Sequence, residues 1–195
     1  IAAELRKAPE VALFSHVSPD GDCVGSSLAL ARALANMGKV VTVYNRDPVA
    51  YPLQFLSGIE TFKAAPPPKL PEIVVFLDCA DLERCGFPPE LFEKSKIINI
   101  DHHVSNNRFG ELNWVDTAAA ATGEMVYALI HELGTEIDSE IATYLYTAIV
   151  TDTGLFQYSN TTPMTHRIAA DLMERGIDIL TLHHYLFNQK PLAQV

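Results

Sequence analysis

Four segments of the 195-residue chain combine carboxylates with imidazoles: His16-Val-Ser-Pro-Asp20-Gly-Asp22, Asp78-Cys-Ala-Asp81, Asp101-His102-His103 and Thr151-Asp152-Thr153-Gly154. If they meet, Asp20, Asp22, Asp78 and Asp152 bring four negative charges together. Clustered carboxylates shift toward their neutral forms unless a cation compensates. Four charges match two divalent ions, and a mixture of oxygen and imidazole donors without cysteine suits manganese, magnesium or iron better than a closed structural zinc site. Two ions about 3.5 to 4 Å apart clamp the attacking and leaving oxygens of a phosphoryl group. The chemistry so implied is phosphoester hydrolysis.

These segments need a scaffold that collects them. The runs Val11 to His16, Val40 to Tyr44, Ile73 to Leu77 and Ile97 to Ile100 are nearly continuously apolar, the pattern of parallel strands covered on both faces. Helical spacing is predicted for Cys23 to Met37, stopped at Gly38, and for Glu124 to Leu133, stopped at Gly134. A third helix through IATYLYTAIV can be capped by Asp138 or Ser139. Pro163 to Arg175 ends at Gly176, and Asp178 can cap a last helix through Phe187. This alternation predicts an α/β fold: a doubly wound, mainly parallel sheet with helices on both faces. Ala64 to Pro71 (AAPPPKLP) reads as a surface loop.

Ligands gather outside the carboxyl ends of such strands, and three of the four segments directly follow apolar runs. Taken singly, each has a plainer explanation. Pro19, Asp20 and Gly21 could merely make a turn, and an aspartate after a strand often starts a loop or caps a helix. The conjunction carries the inference. His183 and His184, inside a helical pattern without adjacent carboxylates, are assigned to surface or packing, as are the lone helix histidines His131 and His166.

Composition narrows the function classes further. The chain is 48% apolar and 19% charged, enough for one cored domain. A formal net charge of −10 leaves no chain-wide basic field for long duplex nucleic acid. Cys23, Cys79 and Cys85 form no C-x-x-C pair and are expected to be free thiols in a reducing cytoplasm. No apolar run approaches the ~18 residues of a membrane span, and residue 1 is Ile, so the chain is expected to be a trimmed or partial one.

At these residues the sequence resembles the DHH phosphoesterase superfamily. His16, Pro19, Asp20, Gly21, Asp22, Gly25 and Ser26 match its first motif, Asp78 the second, Asp101-His102-His103 the third, and Thr151-Asp152-Thr153-Gly154 with Phe156 the fourth. LDCADLER, NIDHHVSNNRFG and TDTGLFQYSNTT are most similar to the nanoRNase and phosphoadenosine-phosphate phosphatase group. The resemblance implies a hydrolase with two divalent cofactors, manganese foremost: one ion on His16, Asp20 and Asp78, the other on Asp22, Asp78, His102 and Asp152. His103 would face the scissile phosphate as charge stabiliser or acid, and Asp101 would orient the histidine loop. Arg84 is expected to meet a phosphate with its guanidinium fork, its alternative being a solvated loop arginine.

Very short oligonucleotides, linear dinucleotides or 3′-phosphoadenosine 5′-phosphate are the implied substrates, cleaved by metal-activated water. No membrane partner is expected, and a second copy of the chain is a candidate partner. Residues 1–188 would form the catalytic domain and 189–195 the start of a linker to a substrate-binding domain whose G-G-G-H motif the chain lacks; the isolated domain should then be weakly active. The alternatives are a DHH-type pyrophosphatase, for which no Lys or Arg cluster offers a clamp, a RecJ-like single-strand exonuclease, and a non-catalytic nucleotide sensor.

Overall fold

The four apolar runs and a fifth, less apolar segment pair into one parallel sheet in the computed structural model, which describes residues 1–188. The strands are β1 (Glu10–Phe14), β2 (Val40–Tyr44), β3 (Ile73–Leu77), β4 (Lys96–Asp101) and β5 (Leu112–Val115), in the spatial order β2-β1-β3-β4-β5. All four ladders are parallel, with Leu13 opposite both Val43 and Val75. β5 is an edge strand that sequence patterning did not isolate: LNWV is short and half-buried throughout, so it carries no continuous apolar run. Trp114 sits in it, at the sheet edge.

Because the chain leaves β1 toward β2 on one side and resumes at β3 on the other, the order of winding reverses between β1 and β3. A crevice opens at that switch, outside the carboxyl ends of the strands. β1 delivers His16 to it, β3 delivers Asp78, and β4 ends in Asp101, just before His102.

The helices are α1 (Ala2–Lys7), α2 (Gly21–Asn36), α3 (Thr122–Leu133), α4 (Ser139–Asp152), α5 (Pro163–Glu174) and α6 (Ile179–His183). Asp138 caps α4 as expected, its carboxylate accepting from the amide of Ile141. The last helix is shorter than expected: it passes at His184 into a π turn ending at Asn188. The linker assigned to 189–195 lies outside the described residues. Among the described residues no helix is long and apolar enough to cross a membrane.

Helices on both faces were expected, and both faces are covered, but by helices of different kinds. All six α-helices place their buried apolar residues on one face of the sheet, against Val11, Leu13, Val75, Leu77, Ile98 and Ile100. The opposite face, Ala12, Phe14, Val74 and Phe76, is covered by Cys85, Phe87, Phe92 and Phe109 from loops and single 3-10 turns. Winding is still double, since the β3–β4 connection crosses this second face. Gly86, Pro88 and Pro89 break it into short turns before an α-helix can propagate. Aromatic packing compensates: Phe14 stacks on Tyr44 at 5.0 Å and on Phe76 at 5.5 Å, and meets Phe92 edge-on at 5.1 Å.

α2 is the central helix, buried over its whole first half from Gly21 to Leu30 between the sheet and α4. Two glycines set that approach. A Cβ at Gly25 would stand 2.4 Å from the Tyr144 carbonyl oxygen, and one at Gly21 would stand 2.3 Å from the Thr151 hydroxyl. This contact brings Asp22, at the start of α2, toward Asp152, at the end of α4. Gly25→Ala should therefore cost about 3 kcal/mol by overpacking against backbone that cannot yield. A calorimetric scan should show the midpoint lowered by about 6 to 12 °C; an unchanged midpoint would show that the helices can separate freely.

Candidate metal centre

Each side chain of the centre is placed by a strand end or a helix end. Asp78, immediately after β3, adopts φ 56°, a left-handed conformation that aspartate tolerates better than most residues. The chain turns there and the carboxylate faces two ways. Its Oδ2 lies 3.4 Å from His16 Nε2, and its Oδ1 lies 3.7 Å from His102 Nε2 and 3.5 Å from His103 Nδ1. Asp20, the N-cap of α2, puts Oδ2 3.7 Å from His16 Nε2 while Oδ1 accepts from the amide of Cys23. His102 Nε2 is also 3.7 Å from Asp22 and 3.6 Å from Asp152. Donor atoms of His16, Asp20 and Asp78 thus form one cluster and those of Asp22, His102 and Asp152 another, each within 4.8 Å, with Asp78 between them.

All six expected ligands converge, and the hydrogen bonds around them fit a cation. His16 Nδ1 lies 2.7 Å from the Val17 carbonyl and His102 Nδ1 lies 3.2 Å from the Ala119 carbonyl. A carbonyl only accepts, so each Nδ1 carries a proton and each ring turns its Nε2 toward carboxylates, with a lone pair to offer whenever the ring is neutral. His102 Nε2 is buried and has no hydrogen-bond partner. A lone pair facing anionic oxygens at 3.4 to 3.7 Å suits nothing but a positive charge between them.

Protonation supplies that charge in the metal-free protein. Burial alone would lower the His16 pKa, but the Asp20 and Asp78 carboxylates outweigh it and raise it to about 10. Burial pushes Asp22 well above the usual carboxylate range, reinforced by Asp78, Asp152 and Asp20. Burial likewise raises Asp152 to about 6, helped by Asp78 and Asp20 and opposed by His102. Asp152 also ends α4, where the helix dipole disfavours a negative charge.

Asp101 and His103 form a separate unit. His103 Nδ1 is 2.7 Å from Asp101 Oδ1, which also accepts from the amide of His102, while Asn106 donates to Oδ2 at 2.6 Å. The nitrogen of His103 nearest Asp78 is therefore already a donor, and its ring is 36% exposed. The Asp101 hydrogen bond, against burial, raises the His103 pKa. Arg84 is exposed on the same rim, near enough for its charge to oppose that rise. Its amide is held by Asp81 and its carbonyl by Val17, so its backbone is fixed while its guanidinium is displayed.

Sequence reasoning missed the residues that hold the ligands. Thr122 and Gly123 donate their amides to Asp22 at 2.6 and 2.9 Å, Ser26 adds its hydroxyl at 3.0 Å, and the Thr122 hydroxyl donates to Asp78 Oδ1 at 3.0 Å. Asn160 donates to the backbone carbonyls of Asp152 and Ala120. Thr122-Gly123 fell before the expected helix start at Glu124, because glycine is a poor helix former. The other histidines pack as assigned: His166 stacks on Phe156 and His183 on Tyr146, and His131 meets Tyr127 edge-on.

Metal binding should displace a proton from this centre, since His16, raised to about 10, holds one at neutral pH in the metal-free state. Calorimetric titration with manganese in two buffers of different ionisation enthalpy should show about one proton released at pH 7. Affinity should rise from pH 6 to 8, because a group whose pKa is raised competes with the cation below that pKa and ceases to above it. Equal heats in the two buffers would contradict the protonated state.

The DHH family, N-terminal domain, matches residues 10–149. The chain is 45% identical over 187 residues to the bifunctional oligoribonuclease and PAP phosphatase NrnA of Thermus thermophilus, covering 93% of this chain and 56% of that protein. It is 30% identical to the NrnA of Bacillus subtilis, covering 92% and 58%. A crystal structure of an exopolyphosphatase-related protein from Bacteroides fragilis superimposes with a TM-score of 0.87 at 26% identity, over 97% of this chain and 59% of that one. The chain thus spans little more than half the length of these relatives. By its matched motifs and its parallel sheet, the chain belongs to the DHH family.

Proposed function

We propose that this chain is the metal-bearing catalytic part of a phosphoesterase that acts in the cytoplasm on very short oligonucleotides and on 3′-phosphoadenosine 5′-phosphate. The observation that carries the reading is Asp78, whose two oxygens face two separate imidazole clusters. His16, Asp20 and Asp78 would hold one divalent cation, and Asp22, Asp78, His102 and Asp152 a second, with manganese suited to the mixed oxygen and nitrogen donors. When bound, such cations lower the pKa of water and neutralise charge on the phosphoryl group. The relatives named as oligoribonuclease and PAP phosphatase support the substrate class.

The remaining residues have distinct tasks. Water's oxygen bonds to phosphorus as the bond to the leaving sugar oxygen breaks, and that oxygen needs a proton. His103 can supply it from Nε2, because its Nδ1–H is committed to Asp101 and the Asp101 charge favours the protonated ring. Asp101, itself fixed by Asn106, keeps the ring facing the crevice. Arg84 would bind two phosphate oxygens at the rim. The chain beyond this half, as in the longer relatives, would position the far end of the substrate, so the half alone turns over slowly.

Manganese with a dinucleotide should yield mononucleotides, and binding without turnover, even with the downstream half restored, would favour the sensor. Asp78→Ala should abolish this while circular dichroism stays native. His103→Ala should lower the rate by about 10² to 10⁴-fold with metal content unchanged. Loss of bound metal in the His103 variant would make that ring a ligand instead of an acid.

A further inference from the structure

The strap from Asp116 to Gly123 joins β5 to α3 and passes beside the centre. Ala119 accepts from His102 Nδ1, Ala120 accepts from Asn160, and Asn160 donates to Asp152 Oδ2 at 3.4 Å and to its backbone oxygen at 3.1 Å. The amides of Thr122 and Gly123 hold Asp22, and the Thr122 hydroxyl holds Asp78 on Oδ1, the oxygen on the His102 side. Its contacts thus reach His102, Asp22, Asp78 and, through Asn160, Asp152. Among the described residues no hydrogen bond joins the strap to His16 or Asp20, which are held by Val17 and Cys23.

The sequence of the strap explains its reach. Ala120 and Ala121 are fully buried and carry no side chain that would hold the backbone away. At Gly123 a Cβ would stand 2.6 Å from that of Ala148 in α4 and 3.5 Å from Asp22 Oδ1, so the start of α3 lies directly on the carboxylate it caps. Thr122 is completely buried, and its hydroxyl's hydrogen bond goes to Asp78.

We propose that Thr122, acting with the strap 118–123, is a positioning residue for one cation of the pair, the one on Asp22, His102 and Asp152, and leaves the cation on His16 and Asp20 to its own supports. The inference rests on the two-cation reading. By orienting Asp78 Oδ1 without touching Oδ2, the hydroxyl makes the two halves of the bridging carboxylate unequal.

Thr122→Val keeps the shape and the amide but removes the hydroxyl; Thr122→Ser keeps the hydroxyl. Manganese titration of the whole chain by calorimetry, with electron paramagnetic resonance of the bound ions, reads the result. Wild type should bind two ions with the spectrum of a coupled pair. Thr122→Val should weaken one of the two by about 10 to 100-fold and lose the coupled signal at limiting metal, and Thr122→Ser should restore both. Asn160→Ala, which reaches the same cation through Asp152, should weaken the same ion and covers the case in which the valine variant does not fold. Two ions of unchanged affinity in the variants, or equal weakening of both ions, would overturn the proposal. Fewer than two ions in the wild type would instead overturn the two-cation reading.

Discussion

Carboxylates confined together beside imidazoles repel one another, and that repulsion governs how the rest of the molecule is built. Asp22 and Asp78 are each 1% exposed, so solvent cannot screen them. Burying such groups is tolerable only when hydrogen bonds and opposite charge replace the lost water. The protein supplies both in part. Amides from the start of α3 and the Ser26 hydroxyl surround Asp22, whose ionised form burial disfavours, and a proton on His16 reduces the charge of the metal-free state. The remainder of the compensation falls to divalent cations, for which the proton is a stand-in.

The scaffold answers the same constraint. A parallel sheet lets three strands end on one edge, so His16, Asp78 and Asp101 arrive together although they are far apart in sequence. Neither face of the sheet can move, because one is closed by six helices and the other by an aromatic layer around Phe14 and Phe76. The contact of α2 with α4 through Gly21 and Gly25 then fixes Asp22 against Asp152 from opposite helix ends. Rigidity of this kind holds repelling groups near one another without a cation having to assemble them.

Much of this was legible in the sequence, and what was not has physical causes. β2 and β3 begin and end where their apolar runs do, and the six side chains expected as ligands converge, because strand ends and carboxylate spacing are local properties. The fully covered second face was also anticipated, but not that it lacks α-helices: proline and glycine at 86–89 decide that locally, yet only packing shows which face the segment crosses. Thr122, Gly123 and Asn160 were illegible for a different reason. An amide that donates to a carboxylate 100 residues away leaves no mark of residue type, since every residue but proline carries one. Only Gly123, a poor choice for a helix start, hinted that backbone was needed there at close range.

That contrast bears on how such a centre divides its labour. Groups that bond a cation must be of particular types and show themselves in sequence; groups that aim them work through backbone or through small hydroxyls and amides. His103 falls between the two. It follows His102 directly, but Asp101 occupies its Nδ1 and leaves the ring on the exposed rim with a donor to spare. Adjacent histidines are thus held differently by their neighbours: the Ala119 carbonyl accepts from His102 Nδ1 and leaves Nε2 inward, and the Asp101 carboxylate favours a charged His103. The two rings face different surroundings because β4 ends just before them, with its last residue, Asp101, turned to the second.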